Sequence, residues 1–183
     1  MRHVLAVMLL GTLAATLSLM ASADVRPVAS VDLERYLGRW FEIARYPNRF
    51  QTACAGNVTA EYAQRPDGNL TVTNRCRRTD GSSIDAVGLG KRVAGTAPDA
   101  AMLKVRFAPR WLSFIPQVWG DYWILALAPD YRYAVVGDPS RRYLWVLSRT
   151  PQMTESDYDA ALTGAQTNGY DTSKLVRTPQ SGP

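Results

Sequence analysis

The sequence predicts an all-β fold, an eight-stranded antiparallel up-and-down β-barrel with one C-terminal α-helix packed outside it. Eight short segments alternate between apolar and polar residues, which is the pattern of strands. Most of them are joined by hairpin-length turns marked by Pro-Asp, Asp-Gly or Asp-Pro pairs. One amphipathic helical pattern follows the last strand, so a single helix is available to cover one side of the barrel.

The N-terminus has the features of a cleaved export signal. Arg2 and His3 precede an apolar stretch over 4–20, and Ala21-Ser22-Ala23 provides small residues for cleavage. We therefore expect a signal peptide at 1–23 and one domain at 24–183, delivered to the periplasm or secreted. A lipid anchor at the cleavage point needs a Cys there, whereas the first Cys is Cys54. Outer-membrane association without such an anchor stays open.

The strands are predicted from alternation and from the turns between them. Asp67-Gly68 is a strong hairpin signal between the second and third strands. The predicted strands cover 38–46, 57–64, 69–77, 83–93, 101–107, 120–128, 131–137 and 143–149.

The segments outside the barrel are predicted from capping signals. Thr154 is placed to cap the helix, with Asp157 at the N3 position of an imperfect capping box, and Gly169 ends it. A short extended piece at 174–177 should follow, and then disorder.

Two cysteines, Cys54 and Cys76, remain in an exported chain, and an even number favours a disulfide. The hairpin places Cys76 opposite a residue near Thr59, about five residues from Cys54, which is too far for a bridge between straight strands. We therefore expect the segment before Gly56 to fold back.

Three separated stretches carry a family resemblance. They are Gly38-Arg39-Trp40 with its continuation to Arg45, Pro129-Asp130-Tyr131-Arg132-Tyr133-Ala134, and the stretch 143–151 that contains Arg149. In this order and spacing, with one helix at the end, the chain resembles a lipocalin, and within that family the bacterial outer-membrane or periplasmic lipocalins related to apolipoprotein D. Two departures are Pro129, where the family has Thr, and the missing lipid-attachment Cys.

The resemblance implies structural roles for three of these residues. Gly38 and Trp40 close one end of the barrel, and Arg149 lies across the Trp40 ring. A shielded contact of this kind is worth about 1–2 kcal/mol.

The inner face of the barrel is predicted by matching the alternation of every strand to the face that carries Trp40, Glu42, Ala44 and Tyr46. Taken alone, these side chains either fill the barrel or line a cavity, and an eight-stranded barrel permits both. The family resemblance implies a ligand cavity. The predicted lining is Val58, Ala60, Val72, Asn74, Leu103, Val105, Phe107, Tyr122, Ile124, Val136, Tyr143, Trp145 and Leu147.

Two kinds of lining residue suggest how a ligand would fit. The small residues Ala60, Gly90 and Ala126 leave room inside the barrel. The polar groups of Tyr122, Tyr143 and Asn74 are candidates to hold a head group among apolar walls.

Several function classes are disfavoured by composition. The only His in the chain is His3, within the predicted signal peptide, which removes the usual general base and His-ligated metals. No cofactor is predicted, and no enzyme. Glu42 is expected to hydrogen-bond near the closed end. The net charge is +5, or +4 once Arg2 is removed, with basic residues scattered, so nucleic acid is not the expected partner.

The expected ligand is a fatty acid, a lysophospholipid or a similar amphiphile. The alternatives are a bulkier planar ligand such as haem, a bilin or a retinoid-like pigment, or a protein-interaction or enzymatic role. The loop 109–119, with Trp111, Leu112, Phe114 and Ile115, is either a membrane or ligand contact, a lid, or a dimer contact. A monomer or a homodimer is compatible with these patterns.

Overall fold

The computed structural model describes residues 24–109 and 112–181. The predicted signal peptide and Trp111 lie outside the described residues. The elements in chain order are α1 Leu33–Tyr36, β1 Gly38–Arg45, β2 Gly56–Gln64, β3 Leu70–Arg77, β4 Ser83–Arg92, β5 Met102–Arg106, β6 Gly120–Leu127, β7 Tyr133–Gly137, β8 Leu144–Ser148, α2 Glu155–Thr167 and β9 Val176–Arg177.

The strands form one closed sheet. Each strand from β2 to β7 pairs with the next, β8 pairs with β1, and β1 pairs back with β2, all antiparallel. The short β9 adds to β1. The predicted fold class is therefore confirmed, and the strand boundaries differ from the predicted ones by a few residues at most.

Antiparallel order assigns each connection to one end of the barrel. We define the mouth as the end formed by residues 46–55, 78–82, 107–109, 112–119 and 138–143. The opposite end, the floor, consists of residues 28–37, 65–69, 93–101 and 128–132. Gly38 turns the chain from α1 into β1 at the floor with a φ of 86°, a conformation that glycine adopts without strain.

Two apolar clusters lie on the two faces of the sheet. The inner cluster fills the barrel around Trp40, Leu103 and Ile124. The outer cluster packs α2 against β6 and β7 and includes Tyr158 and Ala161 of the helix with Leu125 and Val135 of the wall. The cap of α2 is as predicted, because the Thr154 side chain accepts a hydrogen bond from the Asp157 amide. No helix within the described ranges has the length and apolarity needed to cross a bilayer.

Two register shifts correct the predicted faces. In β1 the shift lies between Glu42 and Ala44, so Ala44 and Tyr46 join the outer cluster and not the Trp40 face. In β6 the shift lies between Ile124 and Ala126. Ala126 therefore packs under α2. A Cβ added to Gly164 of that helix would lie 2.5 Å from the Ala126 Cβ. A bulge inserts one residue on one strand and reverses the alternation beyond it.

The disulfide between Cys54 and Cys76 is present, with a Cα–Cα distance of 5.6 Å. The predicted fold-back is achieved in two ways. Cys54 closes a turn onto Gln51, and a register shift lies between Gly56 and Thr59 of β2. Asn57, at a φ of 49°, lies inside this shift, which brings Gly56 opposite Arg77 and shortens the path to Cys76.

Residues 178–181 are held by hydrogen bonds, so the predicted disorder after 177 is wrong for them, and residues 182–183 lie outside the described residues. The Thr178 amide bonds to the Ile43 carbonyl, and the Asn57 amide bonds to the Pro179 carbonyl. The side chain of Gln180 donates to the carbonyls of both Glu42 and Val58. Beyond Phe41 the strands β1 and β2 no longer pair, and this C-terminal segment fills the seam between them.

Candidate ligand-binding site

The floor of the barrel is closed by a cation stacked on a buried indole. The Arg149 Cζ lies 3.8 Å from the centroid of the Trp40 ring, and Trp40 is fully buried. The guanidinium also donates to the main-chain carbonyls of Arg35, Leu37 and Arg39. This is the arrangement that the family resemblance implies for these residues. It closes this end of the barrel around Trp40.

Three tyrosines lie above this closure. The Tyr122 hydroxyl is 2.8 Å from the Tyr36 hydroxyl and 2.7 Å from the Tyr62 hydroxyl. Burial raises the pKa of all three phenols well above the ordinary value. The group is therefore a neutral hydrogen-bonding unit. Tyr122 was predicted as a head-group contact, whereas Tyr36 and Tyr62 were missed as polar members of the site.

The wall beside these tyrosines carries little side chain. Ala86, Gly88 and Gly90 occupy alternate positions on β4, and Gly88 and Gly90 pair with the inward-facing Val72 and Leu70. Gly120 lies two residues before Tyr122 on β6, and a Cβ added there would meet nothing closer than 3.8 Å. This part of the wall therefore contributes little side-chain volume of its own, and the side chains of Phe107, Val72 and Leu70 lie close over Gly88 and Gly90.

Aromatic rings surround the mouth side of this space. Tyr143 and Trp145 stack with their centroids 5.8 Å apart, and Phe50 packs on Tyr143 at 5.6 Å. Phe107 follows β5, and its ring lies over Gly88 of β4, where it would collide with an added Cβ. The only sequence signal for Phe50 was its isolation in a polar loop.

Glu42 anchors a buried polar network, and it does so at the seam, not at the closed end as predicted. Its carboxylate is 2.7 Å from the Arg45 Nη1, 2.5 Å from the Thr178 hydroxyl and 2.5 Å from the Gln51 Nε2. Gln51 in turn accepts from the Trp145 indole at 3.0 Å. Buried charges are stable when they are paired and hydrogen-bonded in this way. The network fixes the Trp145 ring to the mouth loop and to the C-terminal segment.

The predicted lining residues divide by depth. The fully buried ones, at the level of the floor and the tyrosines, are Val72, Leu103, Tyr122, Ile124, Val136 and Leu147. Those that are half-buried or exposed, towards the mouth, are Ala60, Asn74, Val105, Phe107, Tyr143 and Trp145. Val58 is buried beside the register shift of β2. Their contact with a ligand stays a prediction.

The aromatic loop does not fold over the mouth as one unit. The Trp119 ring lies 4.1 Å from the Lys91 Nζ and 5.0 Å from the Arg106 Cζ. Lys91 and Arg106 are the strand neighbours of Gly90 and Val105, which face inward, so Lys91 and Arg106 face outward. Trp119 therefore covers the outer wall. Phe114, at the tip, is 78% exposed.

The mouth carries both exposed apolar side chains and basic side chains. Phe50, Phe107 and Phe114 are 64%, 42% and 78% exposed. Arg49 lies over the Phe50 ring at 5.0 Å, and Arg142 lies 5.9 Å from the Tyr143 ring. Among the described residues, no group of three His, Cys, Asp or Glu side chains could hold a metal ion.

Comparisons with known proteins agree with this architecture. Residues 31–180 match the family model described as the lipocalin-like domain. Temperature-induced lipocalin-1 of Arabidopsis thaliana is 43% identical over 167 residues, covering 86% of this chain and 84% of the relative. Outer membrane lipoprotein Blc of Escherichia coli (strain K12) is 39% identical over 158 residues, covering 86% and 84%. Apolipoprotein D of Mus musculus is 31% identical over 159 residues, covering 82% and 77%. With a barrel closed by Trp40 and Arg149 and this extent of similarity, the chain belongs to the lipocalin family.

Proposed function

We propose that this lipocalin binds an amphipathic hydrophobic ligand, such as a fatty acid or a lysophospholipid, inside its barrel. The observation that carries the proposal is the contrast between the two ends. The floor is packed shut around Trp40, while the upper half has small residues on β4 and half-buried apolar walls that lead to the mouth. A site of this kind holds an apolar tail inside and leaves the head group at the rim, where Arg49 and Arg142 favour a negative charge.

We further propose that the protein acts in the cell envelope, in lipid transport, storage or scavenging. The signal-peptide pattern at 1–23 and the disulfide both suit an oxidising compartment. A bacterial relative is named as an outer membrane lipoprotein. Fractionation of cells, followed by N-terminal sequencing of the mature protein, tests this. A mature start near Asp24 in the periplasmic or secreted fraction is expected, and an uncleaved cytosolic protein would overturn it.

The ligand proposal is tested by native mass spectrometry of the protein mixed with extracted lipids. We expect one bound fatty acid or lysophospholipid per barrel, and displacement of an anilinonaphthalene sulfonate fluorophore by the same lipids. If neither lipid class bound and neither displaced the fluorophore, the proposal would be wrong. A visible absorbance band in the purified protein would point to a planar pigment instead.

The position of the site is tested by Trp145→Asp. A buried charge in the upper barrel disfavours an apolar tail, so we expect lipid binding to be abolished while the circular dichroism spectrum stays near that of the parent. Val87→Asp is the matched control, because Val87 is 64% exposed on β4. Unchanged affinity in the Trp145 variant would show that Trp145 does not line the site.

We also propose a transient membrane contact through the mouth, with Phe114 as its leading residue. Exposed aromatic side chains beside basic residues suit an anionic bilayer surface. We expect the protein to co-sediment with phosphatidylglycerol vesicles more than with phosphatidylcholine vesicles, and Phe114→Ser to weaken this. Val87→Ser removes a similarly exposed apolar side chain from the barrel wall, away from the mouth loops, and should leave it unchanged. Equal sedimentation of Phe114→Ser and the parent would contradict the contact.

A further inference from the structure

The three tyrosine hydroxyls carry one more proton than the hydrogen bonds among them use. Tyr36 is on α1, Tyr62 on β2 and Tyr122 on β6, and their hydroxyls make two hydrogen bonds. Three hydroxyls carry three protons, and each oxygen can accept two hydrogen bonds. One proton is therefore left without an acceptor among these three groups.

The exposure of the three rings decides which hydroxyl carries that proton. Tyr36 and Tyr62 are 0% and 4% exposed, and Tyr122 is 8% exposed. If both deeper hydroxyls donate to Tyr122, its oxygen accepts two bonds and its own proton points away from the other two. This arrangement satisfies both of the most buried donors. It leaves the free donor on Tyr122, the least buried of the three residues, two positions along β6 from Gly120.

The surroundings of this donor favour a neutral acceptor. Arg149, the cation that acts on the Tyr36 and Tyr62 phenols, lies against the Trp40 ring and donates to floor carbonyls. A carboxylate at this depth would be desolvated without an ion pair, which is costly. A hydroxyl, carbonyl or ether oxygen can accept a hydrogen bond here at no such cost.

We propose that Tyr122 donates a hydrogen bond to a neutral oxygen at the buried end of the ligand, so that the barrel selects amphiphiles oxygenated at the end remote from the head group. The inference rests on the proposed function, and it adds the class of ligand. The head group stays at the mouth, near Arg49 and Arg142, while the oxygenated end of the tail meets the tyrosines.

The direct test uses the unmodified protein and three acids of equal chain length: the unsubstituted acid, its 2-hydroxy isomer and its ω-hydroxy isomer. Displacement of the anilinonaphthalene sulfonate fluorophore gives the three affinities. We expect the best-fitting ω-hydroxy acid in a series of chain lengths to bind about fivefold tighter than its 2-hydroxy isomer, which corresponds to about 1 kcal/mol for one net hydrogen bond. Comparing isomers holds composition constant and changes only the place of the hydroxyl.

Equal affinity for the two isomers at every chain length would overturn the inference. Binding of the unsubstituted acid in that same experiment would still uphold the proposed function. If none of the three acids bound, the inference would fall, and the proposed function would fall with it only if lysophospholipids also failed to bind.

Substitution identifies the donor. Tyr122→Phe should bring the isomer ratio to about one. Tyr158→Phe, in α2 on the outer side of the barrel, makes the same chemical change and should keep the ratio. A ratio that persists in the Tyr122 variant would exclude Tyr122 as the donor. The comparison of isomers in the parent protein decides the inference even if the Tyr122 variant does not fold.

Discussion

At the scale of single residues, Arg149 connects several parts of the floor. It stacks on Trp40 and donates to carbonyls that belong to α1 and to the start of β1. A planar guanidinium can make these contacts at once, whereas an ammonium cannot. The floor therefore depends on Arg149 for its shape as well as for its charge.

We expect Arg149→Lys to lower the free energy of unfolding by about 2 kcal/mol, since it removes hydrogen bonds from a charged donor and weakens the stacking on Trp40. Urea unfolding followed by Trp fluorescence measures the change. Arg39→Lys is the control, because Arg39 makes an exposed ion pair at 3.8 Å with Glu61 and should cost less than about 0.5 kcal/mol. Equal effects of the two substitutions would contradict the role of Arg149.

The seam residue Thr178 supports a second prediction at this scale. Its hydroxyl donates to the buried Glu42 carboxylate and accepts from Arg45. Thr178→Val keeps the shape and removes the donor, so we expect a loss of about 1–3 kcal/mol in stability. Thr71→Val, in a half-buried position on β3, should be nearly neutral. Faster amide hydrogen exchange at the upper end of β1 would accompany the loss, and unchanged exchange with unchanged stability would refute the role of Thr178.

At the scale of elements, the attachment of α2 depends on charge as well as on its apolar stripe. Arg132, which follows β6, donates to the Asp157 carboxylate in the first turn of the helix. This hydrogen bond is the main cause that lowers the pKa of Asp157 below its ordinary value. A group with a depressed pKa stabilises the fold above its ordinary pKa, and this contribution is lost as the pH falls through the lowered value.

We therefore expect the Asp157 carboxyl to titrate below the ordinary Asp range when it is followed by NMR. In Arg132→Gln the pKa should rise towards the ordinary value, and the acid side of the stability curve should change with it. Arg26→Gln, in the N-terminal segment, serves as the control. An Asp157 pKa that is the same in the parent and in Arg132→Gln would contradict this coupling.

The elements also show how far sequence reasoning extends. Alternation and turn residues are local, so they identified the eight strands, the capped helix and the closed barrel. The bulges near Ile43 and Leu125 have no local signature, so Ala44, Tyr46 and Ala126 were assigned to the wrong face. The order of the C-terminal segment was missed, because the groups that hold it, Glu42 and Val58, are far away in the chain. The tyrosine chain likewise depends on a helix and two strands meeting in space.

At the scale of the whole molecule, the disulfide ties the mouth loop after β1 to the end of β3. It joins residues 22 positions apart in a barrel whose mouth is otherwise held by loop contacts. Closing a loop of this length restricts the unfolded chain, and bonds of this kind stabilise small exported domains by about 2–4 kcal/mol.

We expect the double variant Cys54→Ser, Cys76→Ser to be less stable by about this amount in urea unfolding. The parent protein in excess dithiothreitol should approach the same stability, and dithiothreitol should not affect the variant. No difference between the oxidised and reduced parent would show that the mouth loop is held without the bond.

The seam filled by the C-terminal segment has a consequence for the order of folding. Gln180 bonds to the carbonyl of Val58 across 122 positions of sequence, so a segment that follows α2 completes the barrel wall. Until this segment is in place, the edges of β1 and β2 stay unpaired at the seam. Contacts of such long range are slow to form, so we expect the seam to be the last part of the wall to close.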